Sequence, residues 1–105
     1  MYKPLHPTLT IKQSSIHGLG IFSTQKIKKD TCLGVTHIAH PAFPQGWIRT
    51  PLGGLYNHSD DPNCILKNHF IGRELTAAKL LITIKDIHEG KELTCIYTLY
   101  SIDGA

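Results

Sequence analysis

Residues 54–64 read GLYNHSDDPNC and place Asn, His, Ser, two Asp, Pro and a second Asn in one run, after a Gly-Gly pair and before a strand-like segment. Asn, Asp and Ser side chains hydrogen-bond to nearby backbone, and Pro fixes one backbone dihedral, so the run has the chemistry of a turn. A turn needs neither Tyr56 nor the Asn57-His58 pair at its head. The run therefore indicates a loop with a second role.

The chain has 105 residues, of which 41% are hydrophobic and 18% are charged. This predicts one globular domain over residues 1–105 with a single core. The net charge of +3 comes with only one local lysine cluster, at Lys26, Lys28 and Lys29. Because a dedicated nucleic-acid binder carries a denser basic stripe, we expect no direct nucleic-acid binding. The longest apolar runs are too short to cross a bilayer, so no membrane association is expected.

The three cysteines, Cys32, Cys64 and Cys95, are widely spaced and form no CxxC pair. A zinc site built on cysteines is therefore not expected. The odd count and the lack of a signal-peptide pattern predict reduced thiols in a cytoplasmic protein. His37 and His40 lie three residues apart, but no further ligands are placed beside them. We interpret them as loop histidines and predict no metal site.

Short alternating segments predict a mainly β fold. Segment 40–54 holds three Pro and three Gly and is predicted to be mostly loop, with Trp47 and Ile48 holding it to the core. RELTAAKLL at 73–81 is the one helix candidate, and its leucine pattern fits a strand equally well. Strands are predicted at 8–12 (TLTIK), around 31–38, at 64–71 (CILKNHFI), within 77–87 (AAKLLITIKDI) and at 93–100 (LTCIYTLY).

Three segments, HGLGIF (17–22), YNHSDDPNC (56–64) and IKDIHEGKELTCIY (84–97), resemble the signature segments of SET-domain protein lysine methyltransferases. They occur in the order found in that family, at intervals that suit a minimal member. The resemblance implies a fold of short sheets of the β-clip type, in which the C-terminal segment makes a pseudoknot-like crossing with the 57–63 loop. It also implies S-adenosyl-L-methionine as the cofactor and a protein or peptide lysine as the substrate.

The same resemblance implies roles for individual residues. Tyr97 corresponds to the catalytic tyrosine of the family, and Tyr56 and Tyr100 to aromatic walls of a lysine channel. Without the resemblance, the glycines would be explained as turn glycines, Asn57-His58 as a capped loop and the tyrosines as core packing. The residues expected to hold the cofactor are His17, Gly18, Leu19, Gly20, Asn57 and His58.

Methyl transfer from a sulfonium to a lysine requires a neutral amine. Neutralising a lysine of pKa about 10.4 near pH 7 costs about 4 kcal/mol. A fixed sulfonium charge and a dry channel both lower that pKa. The residues of the protein would then act mainly by positioning and electrostatics, with the Tyr97 hydroxyl orienting the amine, and no strong general base is needed.

Few residues follow Tyr97, so we expect either a second subunit that completes the lysine channel, in a homodimer, or low peptide affinity. One rival hypothesis is a non-catalytic SET-fold module that retains cofactor or peptide binding. Another is a small basic β domain that binds nucleic acid, with an affinity that falls steeply with salt. The thin lysine cluster argues against the second rival.

Overall fold

The structure is a computed structural model that describes residues 5–43 and 46–96. Its secondary structure is mainly β, as the sequence predicts, with a single short helix among these residues. The helix is far too short to span a membrane. In chain order the elements are β1 (Leu9–Gln13), β2 (Leu19–Ser23), β3 (Cys32–Ala39), β4 (Trp47–Arg49), α1 (Pro51–Leu55), β5 (Asn57–His58), β6 (Cys64–Ile71), β7 (Thr76–Thr83) and β8 (Thr94–Cys95).

The strands form three small sheets. β1 and β2 pair as an antiparallel hairpin, and β4, β3, β7 and β6 form a four-stranded sheet in that order. All neighbours in this larger sheet are antiparallel. β5 and β8 make a short parallel pair, although they lie far apart in the sequence. This arrangement confirms the predicted fold of short sheets.

The core gathers buried side chains from all three sheets and from the loops. Ile21 of β2, Leu81 of β7, Ile87 and Leu93 are fully buried. β7 lies in the interior of the four-stranded sheet, where β3 and β6 take up the hydrogen bonds of both its edges. This two-sided pairing explains why most of the ambiguous segment 73–81 becomes strand and not helix.

The prediction that segment 40–54 is mostly loop is wrong over its second half. Trp47–Arg49 pairs with β3 as strand β4, and Pro51–Leu55 forms helix α1. The Thr50 side chain accepts a hydrogen bond from the Gly53 N–H at 3.2 Å and so caps the helix. Pro51 occupies the first turn, where its missing N–H costs nothing. Three of the residues that indicate turns in this segment, Pro51, Gly53 and Gly54, therefore lie within the helix.

The interpretation of His37 as a loop histidine is also wrong. His37 lies on β3 with 1% of its surface exposed, and its Nδ1 is 2.7 Å from the Thr36 hydroxyl. The ring meets Trp47 edge-on, with centroids 6.1 Å apart, and its Nε2 has no hydrogen-bond partner among the described residues. Burial, followed by the charges of Arg49 and Lys79, lowers the pKa of His37 from 6.5 to about 4. The imidazole is therefore neutral in the folded protein near pH 7.

Acid is expected to destabilise the protein through His37. Between pH 6.5 and about 4 the unfolded chain takes up a proton at this residue and the folded chain does not, so stability is lost as the pH falls through that window. The shift corresponds to at most about 3 kcal/mol. Urea unfolding at several pH values should show a shallower pH dependence in His37→Gln than in the wild type. The exposed His40→Gln is the control, and equal slopes for His37→Gln and wild type would contradict the assignment.

Candidate functional site

The turn between β1 and β2 carries the first predicted motif. The Ser14 N–H donates to the Gly18 carbonyl at 2.7 Å and closes the turn, while the Ser14 hydroxyl accepts from the Ile16 N–H at 2.9 Å. Gly18 has φ of +49°, a left-handed conformation that favours glycine. A Cβ added at Gly18 would have no atom within 4 Å. The turn therefore faces open space at Gly18.

Asn57 joins the second motif to this turn. It lies on β5 with 5% of its surface exposed. Its Nδ2 donates to the carbonyl oxygens of His17 and Leu19, both at 3.2 Å. The same nitrogen donates to Oε2 of Glu92 at 2.7 Å. The structure thus brings together His17, Gly18, Leu19, Gly20 and Asn57, all of which the sequence assigned to one cofactor site.

Glu92 is a member of this cluster that the sequence analysis missed. Its carboxylate accepts the Ser14 hydroxyl at 2.8 Å (Oε1) and 2.9 Å (Oε2), in addition to the Asn57 amide. A Cβ added at Gly20 would overlap Oε2 of Glu92 and would lie 3.2 Å from Nδ2 of Asn57. Gly20 therefore leaves the space that the Glu92 carboxylate occupies. Glu92 lies inside the third motif, but no local pattern indicates its distant partners.

The third motif lies against the second, as the predicted crossing requires. β5 pairs with β8 so that Asn57 is opposite Thr94 and His58 opposite Cys95. Asn63 extends the contact, because its Nδ2 donates to the Glu92 carbonyl and its Oδ1 accepts from the Thr94 N–H, both at 2.9 Å. The described chain continues to Ile96. The predicted catalytic residue Tyr97 and the predicted channel residue Tyr100 lie outside the described residues.

The remaining predicted residues are placed less distinctively. Tyr56 is 5% exposed and belongs to the hydrophobic core cluster. His58 is partly exposed, and its Nε2 lies 3.1 Å from Oδ1 of Asp60. The burial of Tyr56 fits core packing directly, and its role as a channel wall stays a prediction. The role of His58 in cofactor binding likewise stays a prediction.

Within the described part of the chain, a groove and an apolar cavity border these motifs. A groove of about 510 Å³ runs past Ser15 and Ile16 of the turn and past Glu92, a volume in the range of small-molecule sites. An apolar cavity of about 250 Å³ lies between the 62–66 segment and the end of the described chain. Its lining residues are Pro62, Cys64, Ile65, Leu66, Cys95 and Ile96.

The thiols differ sharply in environment. Cys64 and Cys95 are buried and Cys32 is exposed, and all three are free. Burial, reinforced by the neighbouring Cys95, raises the pKa of the Cys64 thiol to about 12. Burial also raises the pKa of Cys95 to about 11. The thiolate is the reactive form, so both buried cysteines should be inert near pH 8.

We therefore expect an alkylating reagent at pH 8 to add one label to the folded protein, at Cys32, and three labels in denaturant. Intact mass spectrometry counts the labels directly. Cys32→Ser should take up none while folded. Rapid addition of two or more labels to the folded wild type would show that the 64–95 region opens readily.

The comparisons agree with this geometry. The family model described as SET domain matches residues 37–98. The chain is similar to a Plasmodium falciparum protein assigned as a histone methyltransferase, with 24% identity and a TM-score of 0.71 over 86% of this chain and 92% of that one. It is also similar to ctPRC2 in an autoinhibited conformation bound to S-adenosylmethionine, with 16% identity and a TM-score of 0.71 over 90% of this chain and 15% of that one. Apo ctPRC2 in an autoinhibited state gives 16% identity and a TM-score of 0.70 over 90% of this chain and 16% of that one. No curated protein matched the chain.

Proposed function

The chain belongs to the SET-domain family, and from this premise we propose that it is an S-adenosyl-L-methionine-dependent protein lysine N-methyltransferase. The observation that carries the proposal is the position of the Asn57 amide, which bonds to the carbonyl oxygens of His17 and Leu19. Two motifs that resemble the cofactor-binding segments of the family thus meet at one buried side chain.

The residues around Asn57 suit the methionine end of the cofactor. Gly18 leaves open space beside the turn. The Asn57 amide uses Nδ2 to hold the turn, and its Oδ1 is a hydrogen-bond acceptor. That oxygen would accept from an ammonium group of the cofactor, and backbone N–H groups of the turn would donate to its carboxylate. We assign His17, Gly18, Leu19, Gly20, Asn57 and His58 to cofactor binding.

The lysine substrate needs a dry site beside the methyl donor. The apolar cavity is lined in part by Cys95 and Ile96, which directly precede Tyr97 in the sequence. Burial in such a site disfavours the ammonium form and lowers the pKa of the amine. S-adenosyl-L-methionine supplies the electrophilic methyl group when bound. The Tyr97 hydroxyl would orient the neutral amine, with Tyr56 and Tyr100 as channel walls.

The direct test is incubation of the protein with isotopically labelled S-adenosyl-L-methionine and either histones or a mixed proteome. Mass spectrometry of the products would locate labelled methyl groups, and we expect them on lysine side chains. Donor binding by calorimetry without transfer to any protein would support the rival, a non-catalytic SET-fold module. Absence of both donor binding and transfer would contradict the proposal and would leave only the form of the rival that binds peptide without the cofactor.

Asn57→Ala is expected to weaken S-adenosyl-L-methionine binding about 10-fold or more. The truncation removes the amide donor shared by the carbonyl oxygens of His17 and Leu19 and by the Glu92 carboxylate, and losing such partly buried hydrogen bonds costs about 1–3 kcal/mol. Calorimetry gives the Kd. Asn68→Ala is the matched control, because Asn68 is an exposed asparagine on β6. Equal affinities for both variants would remove Asn57 from the cofactor site.

A homodimer and a cytoplasmic location are further parts of the proposal. A second copy would complete the lysine channel beyond Tyr97. Sedimentation analysis with and without a lysine peptide would test the homodimer.

A filter-binding titration with DNA and RNA at two salt concentrations would test the expected lack of nucleic-acid affinity.

A further inference from the structure

The Glu92 carboxylate lies where three distant segments meet, and its backbone is held there independently. Glu92 forms a β-bridge with Phe22 of β2. The next residue, Leu93, donates its N–H to the Ile21 carbonyl at 2.8 Å. β2 begins at the end of the Ser14–Gly18 turn, so Glu92 is held against the same hairpin that carries the turn. Its side chain then reaches Ser14 and Asn57.

An ionised carboxylate can only accept hydrogen bonds. Asn57 must therefore direct its Nδ2, and not its Oδ1, toward Glu92. The two other partners of Nδ2 are backbone carbonyl oxygens, which impose the same orientation. A charged acceptor makes a stronger hydrogen bond than a carbonyl oxygen does. Glu92 therefore contributes most to the orientation of the Asn57 amide. A glutamine at position 92 could offer either end of its amide and would relax the preference.

Ser14 links the Glu92 carboxylate to the turn by hydrogen bonds. Its hydroxyl donates to Glu92 and accepts from the N–H of Ile16 at 2.9 Å. Its backbone N–H closes the turn at Gly18. The lack of a side chain at Gly20 provides the space that the Glu92 carboxylate occupies. The turn, Ser14 and Glu92 therefore form one connected unit.

We infer that Glu92 is a positioning residue, which orients the Asn57 amide and holds the 14–20 turn in the conformation that receives the cofactor. Glu92 acts through Asn57 and Ser14 and needs no contact with the ligand. The inference rests on the proposed function for the identity of that ligand, but the positioning itself is a property of the free protein.

A mutant cycle separates this role from a direct contact. Glu92→Gln keeps the size of the side chain and removes its charge, and it should weaken S-adenosyl-L-methionine binding about 10-fold. If Glu92 acts through Asn57 and Ser14, adding Glu92→Gln to a variant that already carries both Asn57→Ala and Ser14→Ala should weaken binding no further. Additive losses, or a Glu92→Gln variant that binds like the wild type, would overturn the inference. Glu89→Gln is the matched control, because Glu89 is exposed and lies three residues before Glu92.

A measurement on the free protein keeps the test independent of the cofactor. In ¹H–¹⁵N spectra, Glu92→Gln should shift the Asn57 side-chain NH₂ resonances and the backbone amides of Gly18 and Gly20, while Glu89→Gln should not. If Glu92→Gln does not fold, Ser14→Ala serves as the second variant. It is a milder change at a half-buried residue and should shift the same two glycine amides. Unchanged resonances would overturn the positioning role even if donor binding is normal. A wild type that binds no donor would contradict the proposed function, and the spectra would still decide the role of Glu92.

Discussion

Gly53→Ala is expected to lower the free energy of unfolding by more than about 3 kcal/mol. A Cβ at Gly53 would overlap the carbonyl oxygen of Thr36 and lie 2.8 Å from its carbonyl carbon. Both atoms belong to the backbone of β3, which is paired with β4 on one side and β7 on the other. No side-chain rotation can relieve the clash. Helix α1 would have to move away from the sheet and give up its Thr50 cap.

Gly54→Ala provides the matched control one residue later. Gly54 lies in the same helix, and a Cβ there would meet no atom within 4 Å. Alanine favours helix over glycine, so this variant should be unchanged or slightly more stable, by up to about 1 kcal/mol. Thermal unfolding should place Gly53→Ala more than about 10 °C below the wild type. Similar melting temperatures for the two variants would refute the close contact between α1 and β3.

Tyr97→Phe is expected to reduce methyl transfer about 100-fold or more while the Kd for the donor changes by less than about threefold. The substitution keeps the ring and removes only the hydroxyl proposed to orient the amine. A group that acts at the transition state should alter the rate and spare donor binding. Single-turnover transfer and calorimetry measure the two quantities separately.

Tyr2→Phe deletes the same hydroxyl from a tyrosine that has no proposed role, and its transfer rate should equal that of the wild type. A Tyr97→Phe variant that retains a tenth or more of the rate would exclude the proposed role of Tyr97. Loss of donor binding together with transfer would instead indicate that Tyr97 supports the cofactor site.

The strands could be predicted from the sequence because the alternation of apolar and polar residues is a local pattern. The strand predicted at 64–71 corresponds to β6 (Cys64–Ile71), and those predicted around 31–38 and at 8–12 agree with β3 and β1 within about one residue. Helix α1 was missed because its Pro51 and glycines are also turn residues. The burial of His37 was missed because proximity to Trp47, Arg49 and Lys79 depends on strand pairing.

Some residues of the candidate site could likewise be predicted from local sequence, and others could not. The motif residues His17 to Gly20 and Asn57-His58 were identified from short segments whose order matches the family. Glu92 lies inside the third motif, but its hydrogen bond to Ser14 joins residues 78 positions apart, so no local pattern indicated that these two side chains meet. Only the tertiary structure shows that Glu92 reaches both the turn and Asn57.

Alternation, turn chemistry and motif spacing are properties of neighbouring residues, so the sequence alone was enough to predict a mainly β domain and the identity and order of three motifs. The folded structure showed which motif side chains meet, and it placed the neutral His37 in a buried position between strands. It also decided that one carboxylate connects the turn to the asparagine loop. These features depend on pairings such as that of β5 with β8, which join residues far apart in the sequence. Such long-range contacts have no local sequence pattern from which they could be predicted.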